Sequence, residues 1–484
     1  MASSFNRDHG LGEKKEIVTY RVLVTGANTG LGYAICTRLI ETFLDVRDLH
    51  EHLHLIVATR SEAKCEKTIR SLRSHMKQWK NKQIAQGNGR LIQDLILKES
   101  QADPFVRVAM SGEIVDLCDL MSVRELADRL LTSKIGHLDV LICNAGVGGW
   151  DGMKWPQAVK DVLTNMVQAV TWPRFKRSVV GTAAEPQFQR TSAGRDSESK
   201  TDTQEKVSEH PALGHIFCSN LFGHYLLGHY LTPLLSKVPT VQEARGRIIW
   251  ISSLEAYDYA LNLDDIQGLE AEEPYESSKR LTDLLALSSE LKSTAPWASK
   301  YLGTGEKKSE SSSGTPSIYL THPGICATGI AAMPFVLHYA MIVVFYLARI
   351  LGSPWHTVSA YIGAAAPVYL ALVPQTQLDV NERTRGLGKS KWGSGTNRIG
   401  SEMVSRTEVE GWGLGGKIGT DPEDWEMRRE QAGPVTVARV VGREEKEGFE
   451  TRAIEAWREM EGLREDWEGR IEKEWKRKLD GEGK

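Results

Sequence analysis

The chain has 484 residues, 41% of them hydrophobic and 25% charged, which suits one large α/β domain with additions or two domains. A net charge of −3 argues against the electrostatic footprint of a nucleic-acid-binding protein. The six cysteines (Cys36, Cys65, Cys118, Cys143, Cys218, Cys326) are scattered without a C-x-x-C pair, which points to reduced thiols in a cytosol-facing protein and not to a disulfide framework or a zinc site.

The first residues, MASSFNRDHGLGEKKE, are polar and lack the apolar stretch of a secretory signal. RVLVT (21–25) is a short apolar run that ends in GANTGLG, and the helical pattern YAICTRLIETFL follows. The order strand, glycine turn, helix recurs in outline: LHLIVA (53–58) and LDVLIC (138–143) read as further strands, and SVRELADRLLTS (122–133) as an amphipathic helix. RIIWIS (247–252) and SIYLTH (317–322) complete the visible strands. Near-continuous apolar strands alternating with helices predict a parallel sheet covered on both faces, a Rossmann-type doubly wound α/β fold. Residues 181–210 and 303–316 are rich in Ser, Thr, Glu and Lys and read as disordered insertions between elements. Residues 17–375 are expected to form the Rossmann domain and 376–484 a helical extension. In that extension Ile454, Trp457, Met460, Leu463, Trp467, Ile471 and Trp475 recur at threes and fours, one apolar stripe on a long charged helix. Docking on its own domain is the favoured reading of that stripe, with a partner-binding helix as the alternative.

Two patterns carry chemistry. Thr25–Gly32, TGANTGLG, follows a strand and opens a helix, where glycine lets the backbone approach a pyrophosphate and the helix N-terminus favours negative charge. In EEPYESSKRLTD (272–283), Tyr275 and Lys279 stand one helical turn apart on one face. The spacing T-G-x-x-x-G-x-G resembles the short-chain dehydrogenase/reductase family, and that family's other motifs occur in its order. CNAG supplies Asn144, Ala145 and Gly146; VDLCDL supplies Asp116; SNLFGHYLL supplies Asn220; WISSLE supplies Ser253, with Ser252 the weaker candidate; HPGICATGI supplies Pro323, Gly324 and Thr328.

The resemblance implies catalysis by Tyr275, Lys279, Ser253 and Asn220. It also implies cofactor contacts from Thr25, Gly26, Asn28, Gly30, Leu31, Gly32, Thr59, Arg60, Asp116, Asn144, Ala145, Gly146, Tyr275, Lys279, Pro323, Gly324 and Thr328. A ketone that accepts hydride needs a proton on its oxygen. A lysine cation beside Tyr275 is expected to lower the phenol pKa from about 10 toward the working range, while Ser253 holds the carbonyl oxygen and Asn220 positions a water. The second strand ends in VATRSEAK, with Arg60 where an NAD enzyme would carry an acid, so NADPH is the expected cofactor.

The long segment from Ser253 to Tyr275 and the string NLFGHYLLGHYLTPLL resemble the 3-keto-steroid reductase branch of the family, with its fungal members closest. That resemblance implies reduction of a 3-keto sterol to the 3β-alcohol after C-4 demethylation, in company with the demethylation enzymes. Another hydrophobic carbonyl (retinal-like or acyl), or a largely structural scaffold, is the alternative. Residues 333–352, MPFVLHYAMIVVFYLARILG, are at the lower limit of a bilayer span. They are expected to form an apolar lid that docks the protein, without crossing, on the cytosolic face of the endoplasmic reticulum or on lipid droplets, with Tyr339 and Tyr346 at the interface.

Overall fold

The computed structural model describes residues 17–88, 103–188, 211–237, 245–303, 314–327, 335–384, 389–416 and 441–482. The chain enters through β1 (Val18–Thr25), α1 (Gly30–Val46), β2 (Glu51–Thr59), α2 (Glu62–Gln83), β3 (Val108–Ile114), α3 (Leu120–Thr132) and β4 (Val140–Cys143). A hairpin of β5 (Trp150–Met153) and β6 (Lys176–Ser178) brackets α4 (Trp155–Thr171). Then come α5 (Gly223–Leu235), β7 (Arg247–Ile251), α6 (Pro274–Ser288), β8 (Ser317–His322) and α7 (Phe335–Ile350). The chain continues through α8 (Ala365–Leu372), β9 (Lys391–Thr396), β10 (Glu402–Thr407) and α9 (Arg443–Glu482), with shorter helices between.

Eight strands form one sheet in the order β3-β2-β1-β4-β7-β8-β9-β10. All neighbours are parallel except the last pair, so the predicted doubly wound fold is the fold observed. Every residue of β4, β7 and β8 is buried, which is why these strands read as unbroken apolar runs instead of alternating ones. One face of the sheet is covered by apolar residues of α3, α5, α6 and α9, the other by those of α1, α2 and α8. The strand order reverses between β1 and β4, and such a switch point leaves a crevice beyond the carboxyl ends of the strands.

Two expectations need correction. The segment after residue 375 is not simply a helical extension, because β9 and β10 complete the main sheet. Their sequence, KWGSGT and EMVSRT, lacks the apolar run that marks a central strand, and pairing with β8 decides it instead. Within the expected insertion at 181–210, residues 181–188 are packed: Ala183 bridges Gly214, and the buried Gln187 side chain accepts from the Leu120 amide at 2.9 Å. Residues 189–210, 304–313 and 328–334 lie outside the described residues.

The stripe on α9 docks on its own domain. Ala453, Trp457, Met460, Trp467 and Ile471 are buried in the α5–α6 core, and the Trp457 indole donates to Ser288 Oγ at 3.0 Å. The helix also buries charge. Glu461 accepts from Tyr225 Oη at 2.7 Å and from Arg464 Nη2 at 2.8 Å, so both ionic groups find partners away from water.

Candidate active site

At the end of β1 the chain turns through Gly26 (φ +64°) and Gly30 (φ +54°), left-handed conformations that glycine adopts without steric cost. Gly32 opens α1 under tight packing: a Cβ there would lie 2.2 Å from the Gly26 carbonyl and 2.5 Å from Asn144 Nδ2. Thr25 ties this turn to the end of β4, its Oγ1 accepting from the Asn144 and Ala145 amides at 2.9 and 3.1 Å. Asn144 Nδ2 returns a bond to the Thr25 carbonyl at 2.9 Å. The two motifs, distant in sequence, are therefore one rigid floor at the switch point.

Above it lies a cavity of about 1110 Å³, lined by Thr25, Gly26, Asn28, Gly30, Leu31, Gly32, Thr59, Arg60, Asp116, Asn144, Ala145, Gly146, Asn220, Ser253, Tyr275, Lys279, Pro323 and Gly324. Every candidate except Thr328, which lies outside the described residues, is brought to this one cavity. The parallel order sets its polarity. Arg60 and Asp116 follow β2 and β3 on one side of the switch point, and Lys64 lines the cavity beside them. Ser253, Pro323 and Gly324 follow β7 and β8 on the other side. Glycines where a Cβ would clash, with two cations at the far end, form a cradle that fits a phosphorylated dinucleotide. Among the described residues no cluster of His, Cys, Asp or Glu could hold a metal ion.

At the near end Ser253 and Tyr275 line the cavity together, and the Ser253 Oγ accepts from the Glu255 amide at 3.1 Å. Ser252 is turned away, its Oγ donating to the buried Asp283 at 2.5 Å, which distinguishes the two serines. Asn220 sits on a one-turn π-helix, Cys218–Phe222, a distortion that often marks a functional position. Its side chain accepts from the Val147 amide at 2.7 Å and donates to the Val147 carbonyl at 3.0 Å. Lys279 Nζ donates to the Ile251 carbonyl at 2.7 Å and lies 5.6 Å from the Tyr275 ring centre.

The electrostatics differ from the expected lysine-tuned tyrosine. Burial and the Glu255 charge push the Tyr275 pKa well up, with the nearby Ser253 hydroxyl acting against them. Burial draws Lys279 down to about 8, partly offset by Asp283 and reinforced by Lys391. The phenol is thus held in its protonated, proton-donating form, and Lys279 is poised to titrate near neutrality.

Sequence reasoning missed the groups that the β5–β6 hairpin carries in. The Trp150 ring lies 4.7 Å from that of Tyr275. The Lys176 ammonium stands 3.8 Å over Trp150 and pairs with Glu255. Burial and the same Glu255 charge raise Glu276, the neighbour of Tyr275, to about 8. No spacing rule links residues 150, 176, 255 and 276; only the folded hairpin joins them. At the far end Cys118 lines the cavity, with His215 Nδ1 3.7 Å from its sulfur, and the adjacent Cys218 and His215 side chains lower its pKa to about 6.

The same cavity continues into an apolar chamber. Ala158, Val159 and Val162 of α4 form one wall, and Leu337, Met341 and Val344 of α7 another. Both helices carry exposed apolar residues: Leu163 (81% exposed) at the open rim of the cavity, and Val343 (57%) outside its lining. Among the described residues no helix is long and apolar enough to cross a membrane.

No family model matches the chain. It is 42% identical over 457 residues to the 3-keto-steroid reductase of Aspergillus fumigatus, spanning 92% of this chain and 94% of that protein. The 3-keto-steroid reductase of Gibberella zeae is 35% identical over 475 residues, 92% of this chain and 94% of that one. The Saccharomyces cerevisiae protein of the same name is 30% identical over 396 residues, 81% and 90% of the two chains. Among solved structures, salutaridine reductase from Papaver somniferum superposes with a TM-score of 0.37 at 15% identity, over 73% of this chain and 96% of that one. That superposition is loose, so the family assignment rests on the sequence relatives.

Proposed function

The chain belongs to the 3-keto-steroid reductases of the short-chain dehydrogenase/reductase family, and from that premise we propose that it reduces the 3-ketone of C-4 demethylated sterols to the 3β-alcohol with NADPH. One observation carries the reading: Ser253, Tyr275 and Lys279 together line a cavity that is glycine-floored at one end and apolar at the other. A polar dinucleotide and a sterol skeleton have opposite demands on a binding site, and this cavity meets both.

When bound, the reduced nicotinamide supplies hydride to the ketone carbon. The protein's own groups act on the oxygen. Tyr275 donates the proton that converts it to a hydroxyl, and the buried, protonated phenol suits that task. Ser253 hydrogen-bonds the same oxygen as negative charge develops there. Lys279 holds the nicotinamide ribose, and Asn220 positions a water for reprotonation. The apolar walls of α4 and α7 exclude bulk water and align the sterol rings.

Arg60, with Lys64 beside it, is the proposed reader of the 2′-phosphate. Attachment to the cytosolic face of the endoplasmic reticulum or to lipid droplets, in company with the demethylation enzymes, is part of the same proposal. Its support is the exposed apolar surface of α7, larger than single scattered residues require.

The test is incubation of purified protein with a 4-methyl 3-keto sterol and either NADPH or NADH, following loss of the reduced nicotinamide. Consumption is expected with NADPH, and Arg60→Asp should reduce the preference for it about tenfold or more. Reduction of retinal-like or acyl carbonyls, with none of the sterol, would sink the substrate assignment.

A further inference from the structure

Behind the hydroxyl pair three consecutive residues at the end of β7 are each held by a charged side chain. Lys279 Nζ donates to the Ile251 carbonyl at 2.7 Å. Ser252 Oγ donates to Asp283 Oδ1 at 2.5 Å. Lys391 Nζ donates to the Ser253 carbonyl at 2.6 Å and to Asp283 Oδ2 at 2.6 Å. Asp283 and Lys391 are 0% and 3% exposed. They form part of the wall of a second cavity, of about 700 Å³, whose lining shares no residue with the first.

We propose that Lys391 and Asp283 are positioning residues of the reaction: they fix the backbone that carries Ser253 and place a buried pair of opposite charges behind Lys279. The hydrogen bonds give the first role, and the shared helix face and burial give the second. Asp283 stands one helical turn beyond Lys279 on α6, and so shares its face. Lys391 arrives on β9, at the point where that strand pairs with β8. A buried ion pair is costly to form without further hydrogen bonds, and here the carboxylate accepts from Ser252 and the ammonium donates to a carbonyl, both groups of the catalytic strand end. The groups acting on Lys279 are these two and Cys143 of β4. Tyr275 lies on its own helix, and His224 of α5 feels the Lys279 charge in turn. Asp283 raises the Lys279 pKa and Lys391 lowers it, so the pair acts on the lysine with opposite signs. This inference rests on the proposed role of Lys279.

Opposite signs make the test sharp. In ligand-free protein, the rate of Lys279 acylation by a small reagent is followed against pH by peptide mass spectrometry, with circular dichroism reporting folding. Lys391→Met should move the Lys279 midpoint up, and Asp283→Asn should move it down, each by on the order of one pH unit. Lys391→Arg, which keeps the charge, should leave the midpoint in place. A midpoint that stays fixed, or moves the same way in Met and Asn variants, overturns the proposal. Should Lys391→Met fail to fold, the sign of the Asp283→Asn shift decides alone. The pH profile of kcat/KM with NADPH and sterol is read separately, and its limb is expected to move with the acylation midpoint. Movement of the midpoint without the rate limb would sustain the electrostatic coupling and remove Lys279 from the proposed reaction.

Discussion

At Tyr275 a single oxygen separates proton donation from its loss. Tyr275→Phe keeps the ring against Trp150 and deletes the hydroxyl, so turnover should fall about 10²–10⁴-fold while NADPH affinity, measured by fluorescence titration, is retained. Near-native turnover would exclude Tyr275 as the acid. Its neighbour Glu276 is 3% exposed and has one oxygen without a partner. Its pKa is raised from 4.5 to about 8 by burial and by Glu255. A carboxyl with a raised folded pKa contributes stability that is complete below the unfolded value and is lost as pH rises through the folded value. Glu276→Gln carries no such loss. Its melting temperature relative to wild type should therefore climb between about pH 4.5 and pH 8, by several degrees if the gain is ~1–2 kcal/mol. A difference that is flat with pH would show that Glu276 is already ionised in the fold.

Helix α7 has two working faces. Met341, Val344 and Phe345 line the cavity, while Val343, Tyr346 and Leu347 are 57%, 47% and 45% exposed. Arg349, near the end of the helix, turns inward: it is 7% exposed and donates to the His356 carbonyl at 2.9 Å. Outward substitutions separate membrane contact from substrate contact. Val343→Lys with Leu347→Lys should shift folded protein from microsomes to the soluble fraction of a detergent-free lysate, with NADPH binding unchanged. Phe345→Lys would instead place a charge inside the chamber. Wild-type protein found wholly soluble after such lysis would end the membrane proposal and leave α7 as a chamber wall alone.

Across the whole molecule, α9 braces the catalytic helix from the side opposite the cavity. Trp457 is fully buried against the stacked rings of Tyr225 and Tyr301, at 6.2 and 5.8 Å between ring centres, and bonds Ser288 at the end of α6. Trp457→Ala should destabilise the fold by about 3–5 kcal/mol, measured by denaturant unfolding, and activity should fall in step with the folded fraction. A stable variant with normal unfolding would mean that α9 packs without bracing α6.

The amino-acid sequence by itself determined the layered α/β fold and the chemistry at its switch point. The reason is physical: buried parallel strands must be apolar throughout, tight turns at a phosphate cradle must be glycine, and a helical turn places Tyr275 and Lys279 together whatever surrounds them. Local rules of this kind are written in adjacent residues. The family resemblance added the serine, the asparagine and the substrate class. The tertiary structure alone decided what depends on contacts between distant segments. Lys391, 138 positions from Ser253, reaches its carbonyl on a strand with no apolar signature. Glu255 and Lys176 meet beside Tyr275 because a hairpin folds over the cavity. The Tyr275 phenol is driven up and not down because burial and the Glu255 charge outweigh the Ser253 hydroxyl, while the Lys279 ammonium is bonded to the Ile251 carbonyl. Desolvation and long-range charge depend on what packs around a group, and no spacing in the chain encodes that.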